Sequence, residues 1–387
     1  MKVFKFISTL GHGRGGHFYD ITAISEALDN EGIDITIIEI GIKKSPVIEK
    51  SSINHLFIYF NGFNFFSLIR KLVKLTKKEK PNVINSYDLI SYSISRIISI
   101  LTNTKIVLSK CGGPNPVKKE YFPKLTSIIT FSKENYLFFS KNKKIKGITL
   151  APARSTRVCI DDEYVNIIKK EADSDFNFIR ISRIDEHYRE LFFQSLNLVN
   201  KLFELGYNVS LILIGVIQSK SLFNEIKAKD VHNLIVWFTT DNFTINSSRL
   251  LTSASICIGT GRGVMEASSL GLPILIPVRE QKYPVLINDT NIDYFFDMNF
   301  SPRINLPEYN ENLVINDIIS LIENKEYYYD CENFSSSLFK NYFDVKNSIP
   351  PLISHYEKLS TKETYLADTI LHLLITIRYL MKISLRK

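Results

Sequence analysis

Val3-Phe4-Lys5-Phe6-Ile7-Ser8-Thr9-Leu10-Gly11-His12-Gly13-Arg14-Gly15-Gly16-His17 is the stretch whose reading decides the fold. Residues 3–8 form a short apolar run of strand type, and 17–30 carry the spacing of an amphipathic helix. A second strand pattern follows at 34–38. A strand, a glycine loop, a helix and a strand predict a crossover unit, and hence a parallel sheet. The rhythm continues through strands at 82–85, 105–109 and 127–131 and a helix at 89–101, which predicts a first domain over 1–150. Pro152 and clusters of charge break it, so 151–175 reads as a linker. A second alternation, with strands at 176–181, 209–214, 234–237, 255–258 and 274–277 and a helix at 191–205, predicts another domain over 176–337. Residues 338–387 read as helical, without strand partners, and are expected to fold back across both domains. The fold class is therefore α/β, with two doubly wound, Rossmann-like domains.

The bulk numbers agree. A chain of 387 residues exceeds what one hydrophobic core usually organises. With 45% hydrophobic and 23% charged residues it reads as globular rather than disordered. Cys111, Cys159, Cys257 and Cys331 form no CxxC pair, and the first residues lack the long apolar stretch of a signal peptide, so a cytoplasmic setting is expected. The net charge of +8 comes without zinc spacing, an aromatic-studded RNP pattern or a helix-turn-helix, so no nucleic acid partner is expected. The segment that starts at Ser67 and ends at Lys80 sets Leu68, Ile69, Leu72, Val73 and Leu75 on one side and Arg70, Lys71, Lys74, Lys77 and Lys78 on the other. It suits a helix resting on anionic lipid, and equally a packed helix with a solvated basic face. The apolar stretch 365–381 is interrupted by Asp368, His372 and Arg378, so a spanning helix is not expected.

Three clusters carry candidate chemistry. The loop with Gly13, Gly15, Gly16 and His17 precedes a helix start, where amides and the helix dipole favour an anion. Gly11, Gly13 and Gly16, with Glu39 ending the next strand, also match the dinucleotide fingerprint. Against that match, Ser8-Thr9-Leu10 makes the turn longer than the fingerprint requires. In the second cluster, Gly261 and Gly263 offer amides at a helix start, Arg262 a fork for phosphate, and Glu266 an acceptor for a ribose diol. The same residues suit a plain capped helix, with Glu266 complementing its dipole. The third cluster sets Arg183 and Arg189 after the first strand of the second domain, where a cation faces the ligand crevice. Pairing with Asp185 and Glu186 is the plainer account. Asp173-Ser174-Asp175 precedes a strand rather than following one, and no histidine pair has HExxH spacing, so no metal or cofactor is expected.

Arg183-Ile184-Asp185, Leu211-Ile212-Leu213-Ile214-Gly215 and Glu266-Ala267-Ser268-Ser269-Leu270-Gly271-Leu272-Pro273 resemble, in order and spacing, the donor domain of the family-4 retaining glycosyltransferases. Upstream, Gly15-Gly16-His17, Pro81-Asn82-Val83-Ile84-Asn85-Ser86 and Ile129-Thr130-Phe131-Ser132-Lys133 resemble that family's acceptor-domain landmarks. The resemblance implies a GT-B fold with facing domains, and transfer of a sugar with retention from a nucleotide-sugar donor, UDP favoured over GDP. It also implies a lipid-linked or saccharide acceptor, in bacterial surface-polysaccharide assembly at the inner face of the cytoplasmic membrane. Arg183 takes the role of the diphosphate-binding arginine and Glu266 that of the ribose-holding second glutamate of a pair. The chain departs from the family in two places. Tyr188, with Arg189 adjacent, stands where a lysine is expected, and Ile258 stands where the first glutamate belongs. Those departures keep open a catalytically inactive transferase-like partner, beside a dinucleotide-dependent oxidoreductase using Gly11 to Gly16.

Overall fold

The structure is a computed structural model describing residues 1–117, 122–359 and 365–384. It divides into two compact units: Met1–Arg154 with Val345–Lys387, and Ser155–Asp344.

The first unit alternates as expected: β1 (Lys2–Thr9), α1 (Gly16–Asn30), β2 (Asp34–Gly41), α2 (Pro46–Glu49), β3 (His55–Tyr59), α3 (Phe65–Glu79), β4 (Val83–Ser86), α4 (Leu89–Thr102), β5 (Lys105–Lys110), β6 (Ser127–Thr130), α5 (Lys133–Ser140) and β7 (Gly147–Leu150). Its strands pair in the order β3-β2-β1-β4-β5-β6-β7, all parallel. Two of them, β3 and β7, escape the sequence reading. β3 shows the alternation of an edge strand only weakly, and β7 is a four-residue strand after a lysine-rich loop.

The second unit holds α6 (Asp162–Glu171), β8 (Phe176–Ile181), α7 (Arg189–Glu204), β9 (Val209–Ile214), α8 (Lys220–Lys229), β10 (Ile235–Phe238), α9 (Asp241–Thr244), β11 (Ile256–Ile258), α10 (Arg262–Ser268), β12 (Ile274–Ile276), β13 (Val285–Leu286), α11 (Ile292–Asp297), α12 (Glu311–Glu323) and α13 (Lys325–Leu338). The sheet order is β10-β9-β8-β11-β12-β13, parallel except for the final antiparallel pair. One apolar cluster fills the space on both faces of this sheet.

The stretch 151–175, expected as a linker, contains α6. Its charges are helix-end charges: Asp161 accepts from Tyr164 N at the cap, Asp162 and Glu163 sit in the first turn, and Lys169 and Lys170 sit in the last. Asp161 also pairs with Arg249 at 2.9 Å, which docks α6 inside the second unit.

The final helices, α14 (Ile349–Lys358) and α15 (Leu366–Ser384), belong to the first unit rather than lying across both. His355 is the reason for α14. Its two ring nitrogens meet Ser127 Oγ and Thr149 Oγ1, each at 2.8 Å, tying the helix to β6 and β7. On α15, Asp368 pairs with the buried Arg96 of α4 at 2.8 Å.

Burial lowers the His355 pKa to about 4, so the folded state holds this ring neutral. An unfolded chain takes up the proton near the ordinary value of about 6.5. Stability from His355 is therefore complete above that value and is lost as pH falls towards 4. A shift of this size corresponds to about 3 kcal/mol. Melting curves across this acid range should fall more steeply for wild type than for His355→Gln, which stays neutral throughout. Parallel pH profiles would contradict the assignment.

Candidate functional site

Each sheet reverses its strand order once, between β1 and β4 and between β8 and β11. Adjacent crossovers leave in opposite directions there, and a crevice opens outside the carboxyl ends of the two strands. The glycine loop follows β1, the Arg183 segment follows β8, and the Gly259–Glu266 segment follows β11. All three candidate clusters thus stand at switch points.

In the first unit the loop is held by a buried carboxylate. Glu39 Oε1 accepts from Thr9 Oγ1 and Ser45 N, both at 2.6 Å, and Ser45 Oγ donates to Gly13 O at 2.6 Å. Burial raises the Glu39 pKa, opposed by these bonds. β1 runs through Thr9, so the turn is tighter than expected from sequence. Glu39 nevertheless faces inward, and the dinucleotide fingerprint lacks an exposed acid for a ribose at that position. Gly13 has φ +64°, and a Cβ there would lie 2.7 Å from Ser45 Cα, so packing on Ser45 already requires this glycine. Gly15 caps α1 without a side-chain bond, Gly16 begins the helix, and the half-buried His17 ring lies 4.3 Å from that of Phe18.

Beneath the loop lie groups that sequence reasoning missed. Asp20 pairs with Arg154 at 3.3 Å; Arg154 also donates to Pro152 O and covers the Phe131 ring. Lys5, in the middle of β1, donates to Tyr87 OH at 3.3 Å, and burial pulls its pKa well down. The available signal was a charge on an otherwise apolar face: Asp20 beside Phe18, Ile21 and Ile24, and Lys5 between Val3 and Ile7.

In the second unit, Arg183 is exposed, lies over the Tyr188 ring and donates to Tyr188 OH at 3.2 Å. Its segment is fixed by the bond from Ile184 N to Val216 O. Arg189 is engaged elsewhere, by Glu225 and Glu186. The amides expected to be open at Gly261 and Gly263 already donate to Phe300 O and Thr260 O. Glu266 lies beyond the first turn of α10, so it does not complement that helix's dipole. It accepts instead from Arg262 Nε at 2.8 Å, with both side chains largely buried. Ile258 is buried in β11.

Sequence reasoning also passed over Arg180. It sits on β8 only 2% exposed, its guanidinium over the Phe192 ring, and its Nε has no hydrogen-bond partner. Burial lowers its pKa to about 10, with Cys257 and Tyr188 nearby. No carboxylate pairs with it among the described residues.

No family model matches this chain, and no curated protein matches it in sequence. Solved structures do. A glycosyltransferase from Rickettsia africae superposes with a TM-score of 0.67 at 16% identity, covering 92% of this chain and 98% of that one. Anabaena HepE in complex with UDP and glucose gives 0.65 at 13% identity, covering 93% of this chain and 100% of that one. The chain has the GT-B fold. A putative UDP-N-acetylglucosamine 2-epimerase from Listeria monocytogenes shares it, with a TM-score of 0.58 at 14% identity over 94% of this chain and 99% of that one. The fold by itself therefore does not separate transfer from epimerisation.

A buried guanidinium that meets no carboxylate among the described residues destabilises the fold. Arg180→Met, similar in length and apolar, should raise its stability by about 1–4 kcal/mol. A lower melting temperature for this variant would contradict that account of Arg180.

Proposed function

We propose that the protein is a glycosyltransferase, moving a sugar from a nucleotide donor, UDP favoured over GDP, to a lipid-linked or saccharide acceptor. What supports the reading best is that Arg183, Arg262 and Glu266 occupy one switch point in a chain that matches, over 93% of its length, Anabaena HepE in complex with UDP and glucose. The family-4 resemblance of Arg183-Ile184-Asp185 and of the Glu266 to Pro273 stretch favours transfer over epimerisation, and transfer with retention.

Arg183 and Arg262 neutralise the donor diphosphate, and Glu266, steadied by Arg262, accepts from the ribose hydroxyls. Arg180 adds buried positive charge beneath them. Arg189, already held by two carboxylates, is left out of the set. Charge on the diphosphate grows as the bond to the sugar breaks, so cations fixed in advance lower the barrier more than they strengthen donor binding. Gly13, Gly15, Gly16 and His17 stand at the corresponding crevice of the first unit, on the acceptor side of the reaction.

The setting is surface-polysaccharide assembly at the inner face of the cytoplasmic membrane. All five cations of α3, Arg70, Lys71, Lys74, Lys77 and Lys78, are exposed, and each contributes about 1 kcal/mol near an anionic surface.

Transfer assays with UDP- and GDP-sugars and a soluble acceptor test the proposal. Glu266→Gln should weaken donor affinity about tenfold or more, from loss of charge-assisted bonds. Arg183→Ala should lower kcat more than it raises KM. Unchanged kinetics in both variants would remove these roles. Donor binding without transfer or hydrolysis would instead favour an inactive partner, and interconversion of UDP-sugars an epimerase.

A further inference from the structure

Helix α15 is built inside out. The side chains it turns to the protein are Thr369, His372, Leu373, Thr376 and Leu380. Those it turns outward are Leu366, Ile370, Leu371, Leu374, Ile375 and Tyr379, between 41% and 59% exposed. A helix on a water-facing surface does the opposite, with its apolar stripe inward and its charges outward. Arg378 and Lys382, the outward charges of α15, come only towards its end.

The orientation is fixed at both ends of the helix. Asp368 pairs with the fully buried Arg96 and accepts from Lys124 N at 3.0 Å. At the other end Leu380 is buried in the core that contains Phe60, Leu68 and Leu72. Met381 passes so close to Gly62, φ +93°, that a Cβ there would lie 3.0 Å from its backbone nitrogen. The outward face is thus a consequence of packing that cannot be reversed without breaking a buried ion pair.

The apolar surface continues beside Gly62. Phe63 is exposed, and Phe66 is 86% exposed. Phe65, Phe66, Ile69 and Leu101 line a groove of about 630 Å³ edged by Arg70, Lys74 and Lys77.

We infer that α15 lies in the interface of an anionic bilayer. Its Leu and Ile face is among the acyl chains, Phe63 and Phe66 enter beside it, and Arg378, Lys382 and the cations of α3 meet lipid phosphates. Charge selects this occupant over a second copy of the chain, because two-fold pairing sets one patch against itself and brings these cations together. The helix rests on the membrane rather than crossing it, since no helix among the described residues is long and apolar enough to span one. The inference rests on the membrane half of the proposed function and supplies its apolar anchor; it is independent of the transferase half.

Co-sedimentation with anionic vesicles at low and high salt separates the two contributions, because screening removes the charge contribution and leaves apolar insertion. Replacing Leu371, Leu374 and Ile375 together by Ser, all at exposed positions, should lower salt-resistant binding at least about tenfold. Melting temperature and activity on a soluble acceptor should stay unchanged. Neutralising the five α3 cations should remove only the salt-sensitive part. As a second readout, Tyr379→Trp in a Trp237→Phe background should shift its emission to the blue on vesicles and be quenched by lipids brominated in the acyl chain. Salt-resistant binding equal to wild type in the triple variant would overturn the inference. So would loss of a dimer in that variant with vesicle binding intact, which would assign the face to a second copy.

Discussion

Parallel strands can neighbour one another only through crossovers, and the crossovers cover both faces of the sheet. Neither face of β1 or β8 is then available for chemistry: Val3, Phe4, Phe6, Ile7, Phe178 and Ile179 are all buried. What remains is the end of the strand, and the widest opening comes where the order reverses. This constraint locates all three candidate clusters. It explains why Arg183 and the Gly259–Glu266 segment, nearly eighty residues apart in sequence, leave neighbouring strands of one sheet.

The same constraint accounts for what was legible in advance. β1, α1 and β2 could be read because fully buried strands leave continuous apolar runs, and the fold class followed from their alternation. Unit membership could not be read for 345–387, since it depends on contacts made far away in sequence, such as His355 with Ser127 and Thr149. Charge clusters near 161–171 misled for a local reason: acids at the start of a helix and lysines at its end look like a solvated linker until the helix is seen. The candidate site was legible at Arg183, Arg262 and Glu266 through residue type and spacing. The amides of Gly261 and Gly263 were misread because their partners leave no periodic trace: Thr260 O closes a local turn, and Phe300 O comes from a segment distant in sequence.

Glu39, Lys5 and Arg180 show how buried charge is distributed. Glu39 is hydrogen-bonded and serves the architecture of the glycine loop. Lys5 has one hydroxyl, Tyr87, and is fully buried in β1. Arg180 has only an aromatic face, and it lies on the strand that leads to Arg183. Arg180 meets no carboxylate among the described residues, and its strand, β8, leads into the segment of the proposed diphosphate group Arg183.

The most direct test is the melting temperature of the wild-type protein across UDP-, GDP- and CMP-sugars, NAD and NADP. A ligand that binds the folded state alone raises stability in proportion to the logarithm of its concentration over Kd. The account predicts a concentration-dependent rise with a UDP-sugar and none with NAD or NADP. A rise with NAD or NADP and none with any nucleotide sugar would contradict it.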